Sequence, residues 1–340
     1  MLFSFVSTVY NQEKYITSHL ESIKFQILKY GEKYEFELVL CDDCSTDKTL
    51  EYANRWLDEN RHLFKIVKIL ASETNEGIVR NYIKGLRAFE GDFFHSLGGD
   101  DLYSSANLFD CVEHLKDYDI VQGALLEFED EKIKNGVESQ CFIDFKSVNV
   151  NSLKQYAHRG KFMFLAPGFF FRKELITEEL LNYLSEFNMF EDRPLYYCLL
   201  KRNDIKIYYH QIPVVLYRIS SASISRNNDH PSNPDLINDN IKFFSILSKE
   251  ADTLLQKIYL RHCTLVLQAS TQRFLYKLNP CTIFDKGNKI FRNIKYRKSL
   301  KVYLENLTRL IEENETHILI CSGKWFCNNQ TNIGLKIEKH

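Results

Sequence analysis

The sequence predicts an α/β protein with a mostly parallel central sheet, covered by helices on both faces and followed by a helical C-terminal region. Three observations carry that expectation. Within about a hundred residues, four short aromatic or β-branched runs alternate with three amphipathic helical patterns. Polar clusters recur where the strand-like runs stop, and right-handed crossovers would gather those ends along one edge of the sheet. From about Pro234 the pattern changes to long helical periodicity with few glycines.

The elements follow in order. Leu2 to Val9 reads as a buried first strand. Ile16, Leu20, Ile23 and Ile27 then recur at intervals of four, three and four, the apolar stripe of a helix that Gly31 ends. Phe36 to Cys41 is the second strand. Ser45, Thr46 or Asp47 can cap the next helix, which turns Leu50, Ala53 and Leu57 inward. Phe64 to Leu70 is the third strand, and Asn75-Glu76-Gly77 leads into a helix with Val79, Ile83 and Leu86 on one face. Phe93 to Leu97 is the fourth strand.

Beyond it, Leu108 to Leu115 reads as a helix, Ile120 to Phe128 as a strand, and Glu127 to Asn135 as a charged hairpin tip. Lys146 to Phe164 is ambiguous. Pro167 and Gly168 turn into a strand ending at Arg172, and a helix covers about Lys173 to Tyr183. Pro194 suits the first turn of another helix, which puts Glu191 and Asp192 at its positive end. Ile205 to Tyr209 and Val214 to Tyr217 are strand-like. In the C-terminal part Ile237, Ile241, Phe244 and Leu247 share a helical face; Leu254 to Leu278 and Ser299 to Glu313 continue the pattern. The expected division is 1–226 and 227–340, with a polar linker from Asn227 to Pro234.

Composition sets bounds. The chain is 44% apolar and 14% aromatic over 340 residues, ample for a packed core. Lys+Arg 44 against Asp+Glu 45 leaves a net charge of −1, which gives no electrostatic case for nucleic acid. The longest apolar run, Phe162 to Phe171, is broken by Pro167 and Gly168 and is too short to span a bilayer. The first residues lack a basic leader and run into strand-like sequence, so the expected compartment is the cytosol. Nine cysteines are scattered, and Cys41 and Cys44 form the only tight pair. No second pair supplies the further ligands of a zinc site, so reduced thiols are expected.

The chemistry concentrates at strand ends: Thr8 and Tyr10, Asp42 and Asp43, Asn75 and Arg80, Asp100 and Asp101. In open α/β sheets, ligands bind at that edge. Two adjacent carboxylates repel by roughly 4 kcal/mol at 4 Å in an effective dielectric near 20. A divalent metal that also holds phosphate is their most economical use, although Gly98-Gly99-Asp100-Asp101 taken alone reads first as a solvated turn. The familiar glycine signatures of dinucleotide-binding, P-loop and α/β-hydrolase proteins do not occur. By themselves Arg80 reads as a solvated helix arginine, Tyr10 as a core aromatic, Asp43 as a turn residue and Asp192 as a helix-capping acid.

Five segments, in order and spacing, resemble the family 2 glycosyltransferases: Val6 to Tyr15, Cys41 to Thr49, Asn75 to Gly77 with Arg80 and Asn81, Gly99 to Asp101, and Glu191 with Asp192. The resemblance covers about Leu2 to Tyr217. It implies the GT-A fold, a Rossmann-like nucleotide-sugar-binding domain, and an inverting transfer of the hexosyltransferase type. It implies that Thr8 and Tyr10 lie against the nucleoside, that Asp43 accepts from the uracil imide, and that Arg80 approaches base and diphosphate. Asp100 would sit near ribose and metal, and Asp101 would coordinate Mn²⁺ or Mg²⁺. Asp192 would be the general base, with Glu191 as its substitute. The sequence departs from the family where Cys44 replaces a small residue, commonly glycine. It departs again in the plain Asp-Asp metal motif, and at Ile219, near which relatives often place a histidine.

The resulting expectation is a metal-dependent enzyme moving a sugar from a UDP-sugar to a glycan or lipid-linked acceptor. Such relatives commonly build bacterial surface glycans (capsule, lipopolysaccharide) at the inner face of the cytoplasmic membrane. The alternative is a catalytically silent nucleotide-sugar-binding or assembly protein. A nucleotidyltransferase should show a glycine-rich arginine loop after the first strand, and none occurs. The amphipathic tail suits homodimerisation first and a peripheral membrane contact second.

Overall fold

The computed structural model describes residues 1–134, 166–202, 204–219, 234–268, 301–303, 305 and 307–324. The ambiguous segment 146–164, the helical continuation from 269 to 278 and the boundary at 226/227 lie outside the described residues.

The alternation is as expected: β1 (Leu2–Val9), α1 (Ile16–Tyr30), β2 (Glu35–Asp42), α2 (Thr49–Asn60), β3 (Ile66–Ala71), α3 (Ile78–Ala88) and β4 (Phe93–Gly98). Then come β5 (Leu102–Tyr103), α4 (Phe109–His114), and β6 (Ile120–Glu129), which hairpins into β7 (Lys132–Lys134). β8 (Phe169–Arg172), α5 (Glu178–Leu184), α6 (Asp192–Lys201) and β9 (Ile207–Arg218) complete the N-terminal part. α7 (Pro234–Glu250) and α8 (Leu254–Gln268) follow, and a last helix, α9, runs within 301–321.

The strands form one sheet in the order β3-β2-β1-β4-β8-β6-β9-β5, with β7 beside β6. β3, β2, β1 and β4 are parallel, β8 is antiparallel to both neighbours, and β9 runs parallel to β6. Because β1 leads outward to β2 on one side and is joined by β4 on the other, the strand order reverses between β1 and β4. That topological switch point is where such sheets open a binding crevice.

Alternation along the strands divides the core. Phe3, Phe5, Val9, Leu38 and Leu40 pack toward α1, α2 and α4. Val6, Val39 and Cys41 pack toward the face covered by α3, α5, α6 and α7. Phe169, Phe170 and Phe171 are all buried, so the described end of the aromatic run serves the core.

Three local expectations change. The segments Ile205–Tyr209 and Val214–Tyr217 are one strand, β9; its register against β6 slips between Gly123 and Leu125, where Pro213 is accommodated. The helix expected from Lys173 breaks into a short 3-10 turn and α5, because the Thr177 side chain caps α5 by accepting the Leu180 N–H at 3.2 Å. In α7 the inward face is Leu236, Asp239, Phe243 and Leu247; of the stripe Ile237, Ile241, Phe244 and Leu247 read from the sequence, Leu247 is buried as expected and the other three lie about one residue out of phase.

Candidate active site

The carboxyl ends of β1, β2 and β4 lie side by side, since Thr8 pairs with Cys41 on one flank and with Gly98 on the other. Just past β1, Tyr10 is 46% exposed, and Asn11 adopts φ 51°. The Asn11 side chain accepts the Thr46 N–H at 2.8 Å and the Thr49 hydroxyl accepts the Gln12 N–H at 2.7 Å, which lashes this loop to the one after β2.

Cys44 also lies in the left-handed region, at φ 65°, while Asp42 accepts the Ser45 N–H at 2.9 Å. An L-residue costs roughly 1–2 kcal/mol there, which explains why relatives favour glycine at this position. Among the described residues the cysteines are free thiols; Cys41 and Cys44 are not joined.

Asp43 is buried, and its two carboxylate oxygens accept the Glu76 N–H at 2.7 Å and the Gly77 N–H at 2.9 Å. Gly77, with φ 90°, makes the turn that aims both amides back at Asp43. One lone-pair direction per oxygen stays open to another donor. Arg80, in the first turn of α3, is exposed and donates weakly to the Glu76 carbonyl at 3.4 Å and to Asn188 Oδ1 at 3.3 Å.

Across the switch point, Asp100 Oδ1 accepts from Gln12 Nε2 at 3.2 Å, which bridges the loops after β1 and β4. A Cβ on Gly99 would come within 2.5 Å of Gln12 Oε1 and of a Val9 methyl, so only glycine allows this approach. Asp101 is buried. Its Oδ1 accepts the Arg218 N–H at 2.7 Å, and the Arg218 Nε donates to the Asp100 carbonyl at 2.7 Å. The guanidinium of Arg218 is held between the rings of Tyr15, 4.4 Å away, and Phe128, 4.3 Å away.

From beneath, His19 Nδ1 donates to the Asp101 carbonyl at 2.8 Å. Burial pushes His19 down to about 4, so the ring is neutral and its Nε2 accepts from the Ser7 hydroxyl at 2.7 Å. Burial also raises the Asp100 carboxyl, and burial together with the Asp100 charge raises Asp101 well above the usual range. The pair lacks sufficient positive charge, with only Arg218 opposing the shift by Coulomb attraction. Two hard oxygen donors at an anionic edge suit a divalent ion that also binds diphosphate. Among the described residues no third acid, histidine or cysteine joins them in a cluster able to hold a metal by itself.

The second acid pair heads α6. Asp192 and Glu191 are half-buried, and Asp192 Oδ1 accepts the Arg193 N–H at 2.6 Å, in part the helix-terminal role expected of it. Burial, then the neighbouring Asp192, pushes Glu191 up to about 8. Their charges reach Tyr82 on α3 and Tyr196 on α6, which burial and these carboxylates push up. Asn188, bonded to Arg80, lies three residues before Glu191, so this pair borders the α3 side of the cleft.

The structure thus groups Tyr10, Asp100 and Asp101 about the switch point, and Asp43, Arg80 and the acid pair about the start of α3. Sequence reasoning missed Gln12, His19 and Arg218. The first two sit in helical or loop patterns with nothing to mark them, and Arg218 looked like the end of an ordinary strand.

A half-parallel sheet with an acid pair at its switch point and a second acid pair beside the start of α3 is the arrangement expected of the GT-A fold. Residues 4–181, about half of the 340, match the family model for Glycosyl transferase family 2, and the chain belongs to that family of glycosyltransferases. Among sequence relatives, the poly(ribitol-phosphate) β-N-acetylglucosaminyltransferase TarS of Staphylococcus aureus is 33% identical over 118 residues, covering 35% of this chain and 19% of TarS. The putative glycosyltransferase EpsE of Bacillus subtilis is 30% identical over 130 residues, covering 37% of this chain and 44% of EpsE. The matches therefore span less than half of either relative. The crystal structure of TarS 1–349 with UDP-GlcNAc aligns with a TM-score of 0.55 at 18% identity, over 97% of this chain and 92% of that one. The mannosyltransferase PcManGT of Pyrobaculum calidifontis, solved with GDP-Man and Mn²⁺, aligns at 0.51 and 15% identity, over 96% and 87%. At such identities these likenesses show the GT-A fold.

Proposed function

We propose that the chain is a metal-dependent inverting glycosyltransferase that moves a sugar from a UDP-sugar to a glycan or lipid-linked acceptor of a bacterial surface polymer. The observation that carries this reading is the division of labour between the two acid pairs. Asp100 and Asp101, raised by burial and short of positive charge, would hold Mn²⁺ or Mg²⁺ with the diphosphate. The ion, when bound, neutralises charge on the departing nucleoside diphosphate. Tyr10 and Thr8 border the nucleoside, Asp43 offers its open lone pairs to an imide N–H, and Arg80 reaches toward base and phosphates.

On the other wall, burial and the neighbouring Asp192 push Glu191 up, which favours its protonated form. Asp192 is read as the member of the pair that takes the acceptor's proton as the hydroxyl attacks the anomeric carbon from the face opposite the diphosphate. Inversion needs a base on a different wall from the metal, and this pair is about ninety residues on from Asp101, at the head of a helix.

The domain reading is 1–226 for transfer and 227–340 for a helical region. Exposed Leu254, Leu255 and Ile258 on α8 support self-association through that region ahead of a peripheral membrane contact. Among the described residues no helix is long and apolar enough to cross a membrane. The polymer reading (capsule, lipopolysaccharide or another surface glycan) leans on the family resemblance and on TarS, which is named for transfer to poly(ribitol-phosphate).

The test is a donor screen by nucleoside diphosphate release in Mn²⁺, with UDP- and GDP-linked hexoses, repeated across polyol-phosphate and lipid-linked acceptors. Acceptor-dependent UDP release from one sugar is the expected outcome. Tight UDP-sugar binding with no release under any acceptor would favour the catalytically silent alternative.

A further inference from the structure

We infer that Asp239, on α7 and beyond the family-matched segment, is a positioning residue that fixes the Glu191–Asp192 pair in its working place. This rests on the reading of that pair as the base. One oxygen of the buried Asp239 carboxylate, Oδ2, accepts three successive backbone N–H groups: Asn188 at 2.9 Å, Met189 at 2.6 Å and Phe190 at 3.2 Å. Three consecutive amides converging on one oxygen form an anion nest, and charge-assisted bonds of this kind are the strong ones.

The nest ends one residue before Glu191. With Asp239 removed, the three N–H groups it holds would stand unpaired next to the Glu191 and Asp192 side chains. The nearest acceptor able to fill it would be the side chain of Glu191 or Asp192, folded back out of the cleft. Asp239 occupies the nest and so leaves both acids facing their neighbours on α3 and α6.

The same helix grips the segment at two further points. Asn240 Oδ1 accepts from Arg193 Nη1 at 3.1 Å, and Lys242 Nζ donates to the Glu186 carbonyl at 2.8 Å while pairing with its carboxylate at 3.0 Å. On the opposite side Asn188 accepts from Arg80. The acid-bearing segment is therefore strung between the nucleotide-facing end of α3 and the first helix of the C-terminal region. α7 belongs to the catalytic apparatus although no residue of it touches the reacting atoms.

The test compares the full-length Asp239→Ala, Asp239→Asn and Asn240→Ala proteins with wild type. The donor is whichever nucleotide sugar wild type turns over, and backbone amide exchange of 186–193 is read in parallel, independent of turnover. Asp239→Ala should lower kcat about 100-fold, the scale of a misplacement near 1 Å, with the donor KM and Mn²⁺–UDP affinity within about twofold. Residues 188–190 should lose exchange protection. Asp239→Asn, which keeps one carbonyl acceptor, should recover most of both, which loss of general stability would not produce.

A kcat within twofold of wild type in soluble Asp239→Ala would overturn the proposal while leaving the base assignment intact. Unchanged exchange at 188–190 would overturn it even without an assay. If Asp239→Ala does not fold, Asp239→Asn and Asn240→Ala decide: wild-type kcat together with wild-type exchange in both contradicts it. Full activity in Asp192→Asn would instead sink the base reading itself.

Discussion

Two pairs of sequence-adjacent acids stand in this fold, one after β4 and one at the head of α6, and the protein treats them differently. Asp100 and Asp101 leave the end of β4 into a cage made by the sheet: Gln12 from the loop after β1, His19 from α1 and Arg218 from β9 hold them from three directions. Glu191 and Asp192 stand at the head of a helix whose preceding segment hangs from α7. Burial and like charge raise Asp101 and Glu191 alike, and at the first pair the Arg218 guanidinium opposes the rise. On the proposed reading, the pair that the frame holds rigidly with a partial countercharge takes the ion, and the pair at the head of α6 transfers the proton.

Asp192→Asn breaks this comparison most severely. Transfer should fall by about 10²–10⁴-fold, the usual reach of general-base catalysis, with Mn²⁺–UDP affinity unchanged by calorimetry. Glu191→Gln should retain far more activity, because burial pushes the glutamate toward the protonated form that glutamine imitates. Equal losses in the two would make the pair interchangeable and remove the distinction.

Arg218→Ala sharpens the other side. It removes the guanidinium that lies against Asp100 and is stacked on Tyr15 and Phe128. Mn²⁺-dependent UDP affinity should weaken by about 10–100-fold, as loss of an outer-shell partner does, while the melting temperature shows whether the stack is also structural.

The protonation of Glu191 has a stability signature. A carboxyl whose ordinary value is 4.5 and whose folded value is about 8 holds its proton in the fold. The wild-type fold therefore loses stability as pH rises from 4.5 through 8, and Glu191→Gln does not. The melting temperature of the variant relative to wild type should rise across that window, by roughly 2–4 °C for each kcal/mol, and be level below it. A difference independent of pH would show that Glu191 is ordinary.

The smallest effect tests the loop that joins the nucleoside side to the sheet. Cys44→Gly relieves a left-handed cysteine at φ 65°, which should stabilise the protein by about 1–2 kcal/mol without altering kcat.

Much of this was legible in the sequence. Strand-like runs and helical spacing gave β1 to β4 and α1 to α3, because buried parallel strands and amphipathic helices leave strong period signals. Gly99 before Asp100, and Cys44 in a glycine's usual place, are also readable once the backbone requirement is understood. What stayed hidden depends on contacts distant in the chain. Gln12 meets Asp100 across 88 residues, Arg218 meets Asp101 across 117, and Asp239 meets Met189 across 50. Asp239 was hidden for a second reason: a helical stripe is read from apolar residues, and here an acid occupies the inward position, so the apparent face rotates by a residue.

The most direct measurement is a calorimetric titration of UDP into wild type and Asp101→Asn, each in Mn²⁺ and in EDTA. Wild type should bind UDP at least about tenfold more tightly in Mn²⁺ than in EDTA, and Asp101→Asn should bind equally in both, at the wild-type EDTA value. Wild-type affinity indifferent to the metal, or Asp101→Asn as metal-dependent as wild type, would contradict an ion held at the end of β4.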